Sequence, residues 1–152
     1  MSDARQVAKE LARLIRGEID FRDFPWLSPR ERKALGSLGM AKLKQGKPKQ
    51  ARAAFGVLID LEPEMSVHYL MYGHSAALEN DIEEAFEYFG KSIKLSASAE
   101  EFSDVAAEAF LARGELLLRL GRTVEARADL ADACNRVKDP VRRRSIEAYL
   151  AA

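Results

Sequence analysis

The sequence predicts an all-α fold, a right-handed solenoid of three helix-turn-helix repeats with an N-terminal helical segment and a C-terminal capping helix. Three observations support this fold class. Small and apolar positions recur at a fixed interval, apolar residues follow helical spacing within each copy, and turns containing Gly or Pro separate the helices. A single helical hairpin cannot bury both of its apolar faces, so we expect consecutive copies to stack.

The repeat is clearest between the first two copies. The shift that superposes Gly39 on Gly73 also superposes Ala51 on Ala85, Phe55 on Phe89, Ile59 on Ile93 and Leu61 on Leu95. A third copy follows at a longer shift, with Gly114 at the position of the glycine and Leu130 at the position of the aromatic residue. Asn80 stands at the turn of the second copy, where Asn tolerates a left-handed backbone.

The repeats divide one domain, residues 1–152, into five predicted segments. They are an N-terminal helix and linker at 1–27, repeat one at 32–65, repeat two at 66–99, repeat three at 100–140 and the capping helix at 141–152. The additional residues of repeat three predict an elongated first helix of about 22 residues that starts at a capping box of Ser98 and Glu101. A loop that holds the insertion is the alternative.

Local signals also mark the two ends of the repeats. Ser28 and Glu31 form a predicted capping box, and Asp139 precedes Pro140 at the start of the capping helix. Residues 3–16 predict a helix whose apolar stripe docks on its own solenoid or pairs with a second subunit in a homodimer. This stripe consists of Val7, Leu11, Leu14 and Ile15, and the linker behind it carries the aromatic residues Phe21, Phe24 and Trp26.

Composition excludes several classes of partner. Lys plus Arg and Asp plus Glu number 24 each, so no overall field attracts nucleic acid or an acidic membrane surface. No run of 18 apolar residues predicts a membrane span, and the charged start lacks the apolar core of a signal peptide. The only cysteine, Cys134, cannot form an internal disulfide. We therefore expect a cytoplasmic protein.

No pattern predicts catalysis, a cofactor or a metal. The stretch from Gly39 to Lys47 resembles a phosphate-binding loop only superficially, because Pro48 stands where Ser or Thr would hold magnesium. His68 and His74 are not at the spacing of metal ligands on one helix face. The arginines at 142–144 are interpreted as a solvated face of the capping helix. The sequence thus favours a protein that is not an enzyme.

The order of Gly39, Gly46, Ala51, Phe55 and Pro63 resembles the tetratricopeptide repeat, and the resemblance covers about residues 32–140. In that family the first helix of each repeat lines a concave groove. The resemblance, combined with helical spacing, predicts a mostly apolar peptide-binding groove. Its residues are Met40, Leu43, Val67, Leu70, Met71, His74, Ala77, Leu78, Leu111, Glu115 and Leu118.

The size, the three repeats and the apolar groove are similar to the class II chaperones of bacterial type III secretion. This resemblance implies a protein-binding chaperone whose groove holds an extended or helical apolar segment of a translocator-like client. Co-chaperones that clamp the acidic end of heat-shock chaperones need basic residues in the groove, whereas Gly36, Met40 and Met71 stand there. The alternative is a scaffold or adaptor subunit that docks through its N-terminal helix. We expect Leu70→Asp or Met71→Glu to abolish client binding without loss of the fold.

Overall fold

The computed structural model describes residues 4–20, 23 and 27–152, and within these ranges the secondary structure is helical, without a strand. The described part contains eight α-helices, with a 3-10 turn at Glu100–Phe102 between the fifth and the sixth. They are α1 (Ala4–Ile15), α2 (Pro29–Lys44), α3 (Pro48–Leu61), α4 (Ser66–Leu78), α5 (Ile82–Ser96), α6 (Ser103–Arg119), α7 (Thr123–Arg136) and α8 (Pro140–Ala151).

Helices α2 to α7 form three consecutive hairpins, α2–α3, α4–α5 and α6–α7, and α8 caps the last of them. Within each hairpin the two helices pack on each other, and each second helix also packs on the helix that follows it. Helices α4 and α6 are in direct contact as well. The predicted all-α solenoid is therefore confirmed. We call the surface formed by α2, α4 and α6 the first-helix face, and the surface formed by α3, α5 and α7 the second-helix face.

Each hairpin turns at one residue with a left-handed backbone. The φ angles are 68° at Gly46, 61° at Asn80 and 73° at Gly121. Only glycine adopts this region without strain, and Asn tolerates it better than most other residues. The expected left-handed conformation of Asn80 is confirmed.

A glycine in each first helix lets an aromatic or aliphatic side chain of the second helix come close to the backbone. A Cβ atom on Gly39 would lie 2.8 Å from Cζ of Phe55, and one on Gly73 would lie 2.7 Å from Cδ1 of Phe89. Both phenylalanines are at most 2% exposed. The recurrence of Gly and Phe in the first two copies therefore reflects direct contact inside each hairpin.

The capping signals are correct at two of the three predicted positions. Oγ of Ser28 accepts a hydrogen bond from the backbone N–H of Glu31, and a carboxylate oxygen of Asp139 accepts one from the N–H of Val141. The prediction of a capping box at Ser98 and Glu101 is wrong. The chain is still extended at Ala99, so Ser98 precedes the N-cap position by one residue and no side chain caps the 3-10 turn.

The first helix of the third hairpin is shorter than the sequence predicts. Helix α6 spans Ser103–Arg119 and has 17 residues, because the chain enters it through the 3-10 turn at Glu100–Phe102. No α-helical hydrogen bonding extends back across the turn to Ser98, where the sequence predicts the helix to start.

Helix α1 spans Ala4–Ile15, close to the predicted residues 3–16. Ile15 at its end is 77% exposed. The side chains of Val7, Leu11 and Leu14 lie outside the described part of the structure, as do the aromatic residues of the linker. Pairing of two subunits through this stripe stays a prediction.

Arg52 of α3 joins the first hairpin to the second. Its guanidinium group binds Glu79 at 2.9 Å and Asp81 at 2.8 Å in the α4–α5 turn, and it also pairs with Glu84 of α5. Burial alone would lower the pKa of Arg52, but the hydrogen bond to Glu79 and the interaction with the Tyr72 hydroxyl raise it. The first and second hairpins are thus joined by a charged contact in addition to their apolar packing.

Candidate binding groove

The predicted groove residues occupy the first-helix face, but their exposure differs widely. Leu78 is 62% exposed and Met40 is 39% exposed, whereas Leu70 is only 5% exposed. Glu115 is exposed as well. The remaining predicted residues are half-buried: Leu43, Val67, Met71, His74, Ala77, Leu111 and Leu118.

Between α4 and α6 the first-helix face contains a cleft with a volume of about 230 Å³. Four predicted groove residues line it: His74, Ala77, Leu78 and Glu115. The other lining residues are Phe89, Ala112, Leu116 and Arg119. We refer to this site as the α4–α6 cleft. Its lining combines apolar side chains with polar ones, which are His74, Glu115 and Arg119.

Leu70 belongs to the protein interior. It forms a buried cluster with Ala76, Phe89 and Leu116, so a bound segment cannot reach its side chain without displacing core residues. Helical spacing places Leu70 on the correct side of α4 but does not reveal that neighbouring residues cover it. The assignment of Leu70 as an accessible groove residue is therefore corrected.

Other predicted groove residues also contribute to packing. Met71 packs against the core clusters of the first and second hairpins, and Leu43 packs against that of the first. Leu111 and Leu118 pack against the cluster of the third hairpin. These four side chains support the groove and are only partly available to a ligand.

Phe89 is a lining residue that the sequence pattern does not identify. The pattern assigns it to the core between paired helices, and its ring is indeed only 1% exposed. The ring nevertheless borders the α4–α6 cleft and contacts the imidazole of His74 edge-on, with centroids 5.2 Å apart. Only the tertiary arrangement reveals that a core aromatic residue also forms the floor of a surface site.

The α4–α6 cleft disfavours charge. Burial lowers the pKa of His74 below its ordinary value of 6.5, so the imidazole is mainly neutral near pH 7. Burial also raises the pKa of Glu115, and the nearby carboxylate of Glu108 adds to this effect while Arg142 opposes it. Both shifts favour uncharged groups, which suits an apolar ligand.

Nothing in the described ranges indicates a metal centre or a membrane span. No group of three or more His, Cys, Asp or Glu residues there has the arrangement of a metal site. None of the described helices is long and apolar enough to cross a bilayer. Cys134 is half-buried, and its sulfur lies 3.9 Å from a carboxylate oxygen of Glu147.

Residues 37–100 match the family model described as tetratricopeptide repeat. The match runs from within α2 through α5, so this part of the chain is similar to tetratricopeptide-repeat proteins. No curated protein matches the sequence significantly.

Among solved structures, the fold is similar to that of the Yersinia enterocolitica type III secretion translocator chaperone SycD. The TM-score is 0.67 at 20% identity, with 91% of this chain and 95% of that chain covered. PcrH in complex with the chaperone-binding region of PopB has a TM-score of 0.61 at 22% identity, with coverage of 83% and 94%. The first TPR domain of Spaghetti (RPAP3), bound to an HSP90 peptide, has a TM-score of 0.63 at 18% identity, with coverage of 83% and 98%. At these identities the comparisons show the fold alone.

Proposed function

We propose that this protein binds an apolar segment of a partner protein on its first-helix face and acts as a cytoplasmic chaperone for that partner. The observation that carries the proposal is the α4–α6 cleft, which has an apolar floor of Phe89, Ala112 and Leu116. Exposed Leu78 and Met40 extend the apolar surface along the same face. The proposed role is binding, without a catalytic step.

The physical basis is burial of apolar surface. An aliphatic side chain of the partner that fills the cleft would leave water, which contributes about 1.5–3 kcal/mol. Met40 has an unbranched, adaptable side chain that accommodates ligands of irregular shape. One anchor in the cleft and further contacts along the face would suffice for a reversible complex.

The more specific proposal is that the client resembles a translocator of type III secretion. Support comes from the similar structures of SycD with a peptide of the translocator YopD and of PcrH with the chaperone-binding region of PopB.

The test uses Leu78→Glu, because Leu78 lines the cleft and is largely exposed. The tagged wild-type protein is used to isolate a partner from the native cell, and the partner is shortened to its bound segment. We expect Leu78→Glu to weaken binding of this segment at least about tenfold, as loss of one apolar anchor implies. Fluorescence anisotropy with the labelled segment measures the Kd.

Val124→Glu is the matched control, since Val124 is an exposed aliphatic residue of α7, 84% accessible and not among the residues that line the cleft. It should bind the segment like the wild type. Unchanged affinity of Leu78→Glu, with helicity preserved, would exclude the first-helix face as the site. Leu70→Asp is unsuitable as a probe because it buries a charge in the core.

A scaffold subunit that docks through α1 is the second candidate function. The observation that favours it is the 77% exposure of Ile15 at the end of α1. Deletion of residues 1–27 separates the two candidates. A truncated protein that retains the partner supports recognition by the first-helix face, and one that loses all binding supports the scaffold.

A further inference from the structure

A second hollow lies on the other side of the solenoid, between the C-terminal parts of α3 and α5 and the start of α4. Its volume is about 380 Å³. It shares no lining residue with the α4–α6 cleft. The residues that matter for its chemistry are Ile59, Tyr69, Tyr88, Lys91, Lys94 and Leu95. We call it the tyrosine–lysine hollow.

Stacked aromatic rings form one side of the hollow. The ring of Tyr88 stacks on that of Tyr72 with centroids 4.1 Å apart, and on that of Tyr69 at 6.0 Å. The hydroxyl of Tyr69 donates to the carbonyl oxygen of Pro63 at 2.9 Å, and that of Tyr72 donates to Glu84 at 3.2 Å. These hydrogen bonds hold the rings of Tyr69 and Tyr72 on either side of Tyr88, so the hollow is preorganised.

Two residues that line the hollow carry hydrogen-bond donors without a partner among the described residues. Lys91 pairs with Glu87 at 2.6 Å and lies over the ring of Tyr88. In contrast, Lys94 is exposed and makes no ion pair within the described ranges. The hydroxyl of Tyr88 likewise has no hydrogen-bond partner among the described residues. None of the described residues that line the hollow is acidic.

We propose that the tyrosine–lysine hollow binds a segment of a partner protein in which an apolar side chain adjoins an Asp or Glu residue. The apolar side chain would pack on Ile59, Leu95 and the ring of Tyr88. The carboxylate would accept hydrogen bonds from Lys94 and the Tyr88 hydroxyl, and a charged hydrogen bond of this kind is about twice as strong as a neutral one. The site is separate from the α4–α6 cleft and would let the protein hold a second partner segment.

The test selects ligands from a phage-displayed library of random dodecapeptides. Each peptide is fused to the phage coat through its C-terminus, so only side-chain carboxylates are available. The library is first depleted on the Lys94→Glu variant and then selected on the wild-type protein. We expect the enriched peptides to combine an aliphatic or aromatic residue with a neighbouring Asp or Glu.

Single variants then locate the binding site. Tyr88→Phe keeps the ring and removes only the hydroxyl, so the Kd of a selected peptide should rise about two- to tenfold. Lys94→Glu should raise it more, because it replaces attraction by repulsion. Leu78→Glu should leave it unchanged, which separates this proposal from the function of the α4–α6 cleft.

Three outcomes would overturn the proposal. One is that no peptide discriminates the wild type from Lys94→Glu while both proteins show the same circular dichroism. Another is enrichment of peptides without acidic residues. The third is a selected peptide whose binding is lost in Leu78→Glu but retained in Tyr88→Phe and Lys94→Glu.

Discussion

The second and third hairpins place a glycine at the same position but pack different side chains against it. A Cβ atom on Gly73 would lie 2.7 Å from the ring of Phe89, whereas one on Gly114 would lie 3.0 Å from Cγ of Leu130. The aromatic ring therefore requires glycine more strictly than the leucine does. In these two hairpins, the larger facing side chain approaches the glycine more closely.

The largest expected effect that tests this comparison is that of Gly73→Ala. The new methyl group overlaps a ring that is 1% exposed, so the variant should lose about 1–3 kcal/mol of unfolding free energy. Gly114→Ala should lose less than about 1 kcal/mol, since a small shift of Leu130 suffices and alanine favours the helix. Urea denaturation followed by circular dichroism measures both values.

Gly90→Ala is the control within the second hairpin. Gly90 lies in α5, and a Cβ there would meet only the terminal nitrogen of Arg113 at 3.7 Å. This variant should be more stable than the wild type by up to about 1 kcal/mol, because alanine has the higher helix propensity. Equal losses for the variants of Gly73 and Gly114 would contradict the distinction between ring and leucine.

The turns of the two hairpins provide a weaker test. Gly121 has a φ angle of 73° and nothing within 4 Å of a Cβ position, so only backbone strain opposes a side chain there. Gly121→Ala should cost about 1–2 kcal/mol. Gly121→Asn should cost less, because the second hairpin uses Asn80 with a φ angle of 61° at the equivalent turn. Similar losses for both variants in thermal unfolding would show that the asparagine turn depends on its surroundings.

The smallest expected effects concern the residue that follows each glycine, His74 in the second hairpin and Glu115 in the third. The lowered pKa of His74 means that the unfolded chain binds its proton more readily. The wild type should therefore lose stability relative to His74→Gln as the pH falls below about 6.5. Urea midpoints at pH 7.5, 6.5 and 5.5 test this difference.

The stability contributed by Glu115 should change with pH in the opposite direction to that of His74. Its raised pKa means that the folded state binds the proton more readily. The wild type should therefore gain stability relative to Glu115→Gln as the pH falls toward the ordinary glutamate value of 4.5. NMR titration of the two side chains provides an independent measurement, and a His74 pKa at or above 6.5 would contradict the burial argument.

Sequence reasoning predicts the features that local rules determine. The regular recurrence of small and apolar residues gives the hairpins, the capping residues Ser28 and Asp139 give two helix starts, and the tolerance of Asn for a left-handed backbone explains Asn80. Each of these depends on residues close together in the chain or on simple periodicity.

The remaining features depend on distances between hairpins, which spacing along one helix does not contain. Nothing in the pattern of α4 shows that Leu70 is covered or that the ring of Phe89 reaches the α4–α6 cleft. The stacking of Tyr88 on residues of another helix is equally hidden. The 3-10 turn before α6 is missed because Ser98 and Glu101 have the correct spacing for a capping box, although the backbone at Ala99 stays extended.

Gly46, Asn80 and Gly121 all lie at exposed corners, and the two glycines have open space where a side chain would begin. Additional amino acids can be inserted at such corners with little disturbance of the first-helix face or the second-helix face. A fluorescent dye pair attached through short insertions after Gly46 and Gly121 would report the curvature of the superhelix, before and after a client is added, by energy transfer.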